Sequence, residues 1–407
     1  MTSHRYAERA LALSLSLTAA GAFCVLGPAS AVGAPRSPVT STVGGGQLAA
    51  PGVIVNLKPG VPPPPAMPAP SFVLADLDTG EILVAKAPHA PHAPASTLKT
   101  LTALTLMPIL HSNSQIRVKP EDVNVQGTHL GILPGTAYSV ATLMQGMLIT
   151  SGNDAAYALA RGNTSVAVTL KAMNETAARL GAADTVAKDP SGLDAVGQQS
   201  SAYDLALIGR AGMKLPDFRR YVGTKQVSLP GGRALDGSMK PGFKIGNHNR
   251  LLFNYPGAIG IKNGYTIAAK FSYVQAATRG GKSYLVTEMA TDKSDWRSAA
   301  SMLDWAFAHG TSVAPVGQLV ERGQSGPSQR SEPPSTSTAT VSPPAASKTP
   351  SSVAAAGLPK LPLATPPHES ARRRAAWAWA GAAGGVSALM VGAVFWLVGR
   401  KPSRPRR

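Results

Sequence analysis

Two short apolar runs, Phe72–Ala75 and Ile82–Ala85, flank a polar stretch centred on Asp78-Thr79-Gly80. Runs of that length around such a turn predict a β-hairpin. A longer apolar run, Leu98 to Leu110, follows Ser96, and its length predicts a buried helix. Apolar positions at helical spacing predict further helices over 140–149, 154–161, 166–180, 202–213 and 294–308. Ser201 and Asp204, three apart at the start of the fourth of these, have the pattern of a capping box. Apolar runs over 258–263, 270–278 and 283–290 predict strands. Strands come first, helices fill the middle, and strands return before a last helix. That order predicts an α+β fold with an antiparallel sheet built from both ends of one domain, residues 71–314.

The flanks have no core pattern. Residues 1–34 combine His4, Arg5 and Arg9 with an apolar run from Ala10 to Leu26 and a small-residue site at Ala29-Ser30-Ala31, which predicts an export signal. Residues 35–70, with Pro62-Pro63-Pro64-Pro65, predict an extended spacer, and the Pro-, Ser-, Thr- and Ala-rich residues 315–371 a disordered linker. Residues 375–399 carry no charge and, at about 1.5 Å per residue, are long enough to span a bilayer. Trp377, Trp379 and Trp396 lie near its ends. The basic tail 400–407 predicts a cytoplasmic C-terminus, leaving the folded domain outside a cell membrane crossed once.

Charge and cysteine content narrow the chemistry. The formal net charge is +18 over 407 residues, but only about a third of the excess falls within 71–314, and no basic, aromatic-studded stripe occurs there. Nucleic acid is therefore not the expected partner. The single cysteine, Cys24, lies in the predicted export signal, so a thiol nucleophile, a disulfide framework and a thiolate metal site are all excluded from the folded part. The histidines are scattered, with no His-Glu-x-x-His, and His89 and His92 sit in a Pro/Ala-rich loop. Neither a metal nor a cofactor is expected.

Three short elements carry candidate chemistry. Ser96 and Lys99 stand three apart at a helix start, on one face, where a neutral lysine amine can take a serine proton. Ser151-Gly152-Asn153 lies between two predicted helices, and Lys262-Asn263-Gly264 in a predicted strand. Each is weak alone: the first also describes an N-cap with a surface lysine, the second a helix–helix turn, the third a glycine bulge at a sheet edge. Lys99 nevertheless sits in an apolar run, an unusual place for a surface lysine.

In this order and on these elements, the combination resembles the motif set Ser-x-x-Lys, Ser-x-Asn and Lys-Thr-Gly of penicillin-binding proteins and class A β-lactamases. The surrounding Pro94-Ala95-Ser96-Thr97-Leu98-Lys99, Asp189-Pro190-Ser191-Gly192-Leu193-Asp194 and Tyr255-Pro256-Gly257 to Tyr265-Thr266 resemble the low-molecular-mass D-alanyl-D-alanine carboxypeptidases, serine peptidases of family S11. The resemblance covers about residues 70–310 and implies a β-lactamase/DD-peptidase-like fold with a helical subdomain. It implies Ser96 as nucleophile, Lys99 as base, and Ser151 and Asn153 in the cleft. Lys262, Asn263, Gly264, Tyr265 and Thr266 would bind substrate, with the backbone N–H groups of Ser96 and Tyr265 as oxyanion hole. It implies a peptidoglycan stem peptide ending in D-Ala-D-Ala as substrate and β-lactams as inhibitors. Asn263 departs from the family's Thr. Endopeptidase or transpeptidase activity on the same scaffold, and a catalytically silent wall-binding domain, remain alternatives. A class A β-lactamase needs a deacylating glutamate, and the only one between Asn153 and Lys262 is Glu175, inside a predicted helix.

Overall fold

The computed structural model describes residues 42–320. The chain divides into one unit spanning 1–331 and another spanning 332–407, and the second lies wholly outside the described residues. The expected export signal 1–34, membrane span 375–399 and basic tail also lie outside them, as does most of the linker 315–371. Among the described residues no helix is long and apolar enough to cross a membrane.

An eight-stranded antiparallel sheet organises the domain. Its spatial order runs Ala258–Thr266, Lys270–Arg279, Lys282–Thr291, Ser71–Asp76, Glu81–Lys86, Val53–Leu57, Val313–Ala314, with Gly317–Gln318 also beside Glu81–Lys86. The two ends of the domain meet in mid-sheet, where Tyr284 pairs with Asp76 and Met289 with Ser71. An antiparallel sheet built from both ends is what the order of apolar runs predicts, but Val53–Leu57, Val313–Ala314 and Gly317–Gln318 are not among the predicted strands.

Side-chain alternation divides the strand residues between two cores. Val73 and Ala75 face the larger core, with Leu205 and Ile208 of the helix Ala202–Met213. Phe72 and Leu74 face the smaller one, with Met302 and Leu303 of the last helix, Arg297–His309. Both faces are covered, which is why the strand reads as an unbroken apolar run.

The predicted helices form at Val140–Ile149, Asn153–Gly162, Val166–Leu180, Ala202–Met213 and Arg297–His309. The helix expected to reach Leu110 is instead a 3-10 turn, Ala95–Leu98, followed by an α-helix, Lys99–Leu106. Pro108 lacks the N–H that a longer helix needs. The last helix starts three residues later than predicted, where Asp295 Oδ1 accepts from the Arg297 N–H. Half of the expected capping box forms: Ser201 Oγ accepts from Asp204 N at 3.1 Å, while the Asp204 carboxylate takes the Thr185 hydroxyl at 2.7 Å.

The expected domain boundaries need correction. Residues 42–70 are not a free spacer. Val53–Leu57 joins the sheet, Leu48 and Ile54 are buried, and Trp305 Nε1 donates to the Pro62 carbonyl at 2.9 Å. Only Val53-Ile54-Val55 marks this strand in the sequence, too short a run to show a period between prolines and glycines. Leu319 is buried at the other end, so residues 315–320 belong to the fold and not to the linker. The two ends touch: Gln318 N donates to the Gly44 carbonyl at 2.7 Å, and His89 Nε2 lies 3.0 Å from the Val43 carbonyl.

Candidate active site

Ser96 stands in the 3-10 turn and Lys99 opens the helix that follows it. Ala95, just before the serine, has a φ of 50°, a left-handed conformation that costs a non-glycine residue about 1–3 kcal/mol. Two glycines let neighbouring backbone close on this turn. A Cβ on Gly192 would overlap the Ala95 carbonyl oxygen, and one on Gly264 would lie 2.5 Å from the Ser96 nitrogen. The alternative reading of a glycine bulge at residue 264 is not what forms: Gly264 pairs in register with Ser272, and the irregularity lies between Ala258 and Gly260.

Lys99 is fully buried. Its Nζ lies 2.9 Å from Ser96 Oγ, 2.6 Å from Asn153 Oδ1 and 2.6 Å from the Ser191 carbonyl oxygen. The Asn153 amide is oriented by its other end, where Nδ2 donates to the Gln126 carbonyl at 2.6 Å. Two of the three groups around Nζ can therefore only accept. A neutral amine has two N–H bonds and one lone pair. In that neutral form both hydrogens would go to the carbonyls and the lone pair would face the serine hydroxyl, whereas the ammonium donates to Ser96 Oγ as well. Burial, and then the nearby Lys262 charge, hold the Lys99 amine well below the usual lysine range, with Asp189 and Asp154 pulling the other way.

The second motif is carried by the junction of two helices. Ser151 lies there, nearly buried, with a φ of 66°. Asn153 opens the next helix, and its N–H donates to the Thr128 carbonyl at 2.7 Å. Beside it, the Asp154 carboxylate accepts from the N–H groups of Leu130, Gly131 and Ile132. The loop 126–132 is thus fastened to the first turn of this helix.

The third motif lies on the edge strand Ala258–Thr266. Lys262 is buried, its Nζ donates to the Asn263 carbonyl at 2.8 Å, and burial pushes it down to about 7. Asn263 and Tyr265 line a cavity of about 80 Å³ with His248, Arg250 and Tyr273. Tyr265 is half exposed, with its ring 4.5 Å from that of Phe271. Thr266 Oγ1 donates to Asp194 Oδ1 at 2.6 Å and accepts from Ala269 N, so its hydroxyl ties the strand to the loop that carries Ser191.

Within that loop, one carboxylate has no role readable in the sequence. Asp189 Oδ1 accepts from Ser191 N at 2.7 Å, Ser191 Oγ at 2.6 Å and Leu193 N at 3.2 Å, while Oδ2 accepts from the Tyr157 hydroxyl at 2.5 Å. An aspartate followed by Pro-Ser-Gly is a turn signal, and Gly192, with a φ of 83°, bears it out. Nothing in that signal says that the turn aims a carbonyl at Lys99. Glu175 ion-pairs with Lys171 at 3.6 Å on an exposed helix face and is not part of the cleft. Among the described residues no group of three or more His, Asp or Glu could hold a metal ion.

Comparison with known proteins identifies the family of the chain. Residues 59–292 match the family model described as D-alanyl-D-alanine carboxypeptidase. The chain is 38% identical over 255 residues to D-alanyl-D-alanine carboxypeptidase DacB2 of Mycobacterium tuberculosis, which covers 60% of this chain and 84% of that one. It is 32% identical over 248 residues to D-alanyl-D-alanine carboxypeptidase DacF of Bacillus subtilis, covering 59% and 62%. Among solved structures, a D-alanyl-D-alanine carboxypeptidase from Mycobacterium tuberculosis superposes with a TM-score of 0.61 at 37% identity, over 65% of this chain and 99% of that one. The Streptomyces K15 DD-transpeptidase superposes with a TM-score of 0.57 at 28% identity, over 61% and 100%.

Proposed function

The chain belongs to the S11 family of D-alanyl-D-alanine carboxypeptidases, and from that premise we propose that it removes the terminal D-alanine of peptidoglycan stem peptides through an acyl-enzyme on Ser96. The observation that carries this reading is the buried Lys99 amine, held by two obligate acceptors with its third direction toward Ser96 Oγ. Lys99 takes the serine proton as Oγ bonds to the carbonyl carbon of the penultimate D-alanine. The carbonyl oxygen becomes an oxyanion between the Ser96 and Tyr265 N–H groups, where fixed dipoles favour it. The C–N bond then breaks, and the Lys99 ammonium returns the proton to the departing amine. Water then attacks the ester carbon and gives a proton to the Lys99 amine, which passes it to Ser96 Oγ as the acyl C–O bond breaks, freeing the shortened peptide and the serine. Ser151, at the same junction, relays protons between Lys99 and the leaving group.

Lys262 has the properties of a carboxylate receptor. Burial brings it to about 7, and a substrate carboxylate arriving beside it favours the charged form. A β-lactam presents a carboxylate and a strained amide in the same relation and acylates Ser96 in the substrate's place. Labelling by a fluorescent penicillin tests the scheme. Ser96→Ala should abolish both labelling and D-alanine release without loss of fold, and Lys99→Ala should slow acylation by about 10²–10⁴-fold. Full D-alanine release by Ser96→Ala would remove the assignment.

The membrane placement belongs to the same proposal. An exported domain followed by an uncharged stretch, 375–399, and a basic tail fits a single-pass anchor with the cleft outside the cytoplasm. Deleting 375–407 should move active enzyme from the membrane fraction to the soluble exported fraction. Retention in the membrane would defeat the anchor.

A further inference from the structure

Building on this reading of Ser96 and Lys99, we propose that Asp189 is a positioning residue for acylation: it aims the Ser191 carbonyl at the Lys99 amine and supplies negative charge that keeps this amine a competent proton acceptor. The geometry has two parts. Asp189 is itself nearly buried, and its carboxylate shapes the turn 189–193 through three hydrogen bonds to Ser191 and Leu193. That turn is seated along the nucleophile helix. The Pro190 carbonyl accepts from Thr102 Oγ1 at 2.6 Å, the Ser191 carbonyl accepts from Lys99 Nζ, and Gly192 lies against the Ala95 carbonyl. A change at Asp189 thus reaches Lys99 through a single residue.

The second part is electrostatic. The hydrogen-bond donors to Asp189 are two backbone N–H groups and the Ser191 and Tyr157 hydroxyls, none of them cationic. Its charge is solvated by dipoles and not cancelled by an ion pair. Charged groups on three elements act on Lys99: the edge strand brings the Lys262 cation, the helix Asn153–Gly162 brings the Asp154 anion, and the loop brings Asp189. The Tyr157 phenol beside Asp189 is kept protonated, its pKa driven up by burial and then by that carboxylate. Burial and Lys262 both weaken this amine as a proton acceptor. A general base works best when its pKa lies near the working pH. The carboxylates restore some of that basicity.

The test is the pH dependence of second-order acylation by a fluorescent penicillin, with the full chain in detergent. The ascending limb reports the free enzyme's base. In Asp189→Asn the amide oxygen can still accept from Ser191 and Leu193, the amide nitrogen in place of Oδ2 donates to the Tyr157 hydroxyl instead of accepting from it, and the charge is lost. The limb should move to lower pH, because an amine without its nearby anion loses its proton sooner. The plateau should fall by about 10-fold or more, a fraction of the 10²–10⁴ that a general base contributes. Asp189→Glu should return the limb toward the wild-type position. A purely structural role would lower the plateau and leave the limb where it was, and that result, or an unchanged profile, overturns the proposal. Lys99→Ala separates this from the reading beneath it. If Lys99→Ala acylates like wild type, the base assignment fails. If it is inactive while Asp189→Asn keeps the wild-type limb, only the role of Asp189 fails.

Discussion

Gly264 has no room for a methyl group. Its missing Cβ would meet the Ser96 nitrogen at 2.5 Å and the Thr97 nitrogen at 3.0 Å, and backbone atoms cannot rotate away as a side chain can. Gly264→Ala should therefore push the edge strand off the nucleophile turn. Since small misplacements of reacting groups are costly, acylation should fall by about 10²-fold, with little change in circular dichroism. Wild-type acylation by this variant would mean that the strand does not set the geometry of the serine. At this scale the sequence was informative in a particular way. Ser96 and Lys99 stood out by type and spacing, while Asn153 and Lys262 entered through the motif set that the chain resembles. The partners that orient them were not: the Gln126, Thr128 and Ser191 contributions are backbone carbonyls, which any residue type supplies. Thr266 was legible as part of a motif, but its bond to Asp194 joins residues far apart in the chain.

Among the elements, long periodic helices and the central strands could be read because each buries a continuous face. The strand Val53–Leu57 could not, although it pairs with both Glu81–Lys86 and Val313–Ala314. Its contribution can be measured. A domain starting at residue 71 loses this strand and the buried side chains of Leu48 and Ile54, each of which stabilises by about 1.5–3 kcal/mol when fully buried. It also bares one edge of Glu81–Lys86, an invitation to aggregate. Proteins spanning 42–320 and 71–320 should differ clearly in thermal midpoint, the shorter melting lower or failing to stay soluble. Equal midpoints would return residues 42–70 to the status of a spacer. The hairpin between Gln226 and Gly246 escaped for another reason: its Leu235, Met239 and Phe243 are exposed, and the buried Leu229 and Ile245 are too few to impose a period on it.

On the scale of the whole molecule, the sheet separates two cores and the cleft forms where its edge strand meets the helical half. That arrangement follows from chain order, since strands from both ends must meet before the sheet exists. The contact between Gly44 and Gln318 gives the described domain a further property. Its backbone is nearly a closed ring, and the position of the cut is incidental to the finished shape. Joining residue 320 to residue 42 by a short flexible linker, and opening the ring at the exposed tip near Leu235, should yield a reordered chain that still folds, because close ends and solvent-exposed tips are where such rearrangements are tolerated. Penicillin labelling of Ser96 in that permutant would report a complete cleft. A permutant that is soluble but unlabelled would show that the hairpin tip must stay continuous for the cleft to form, and an insoluble one that the native order of synthesis guides the meeting of the two ends.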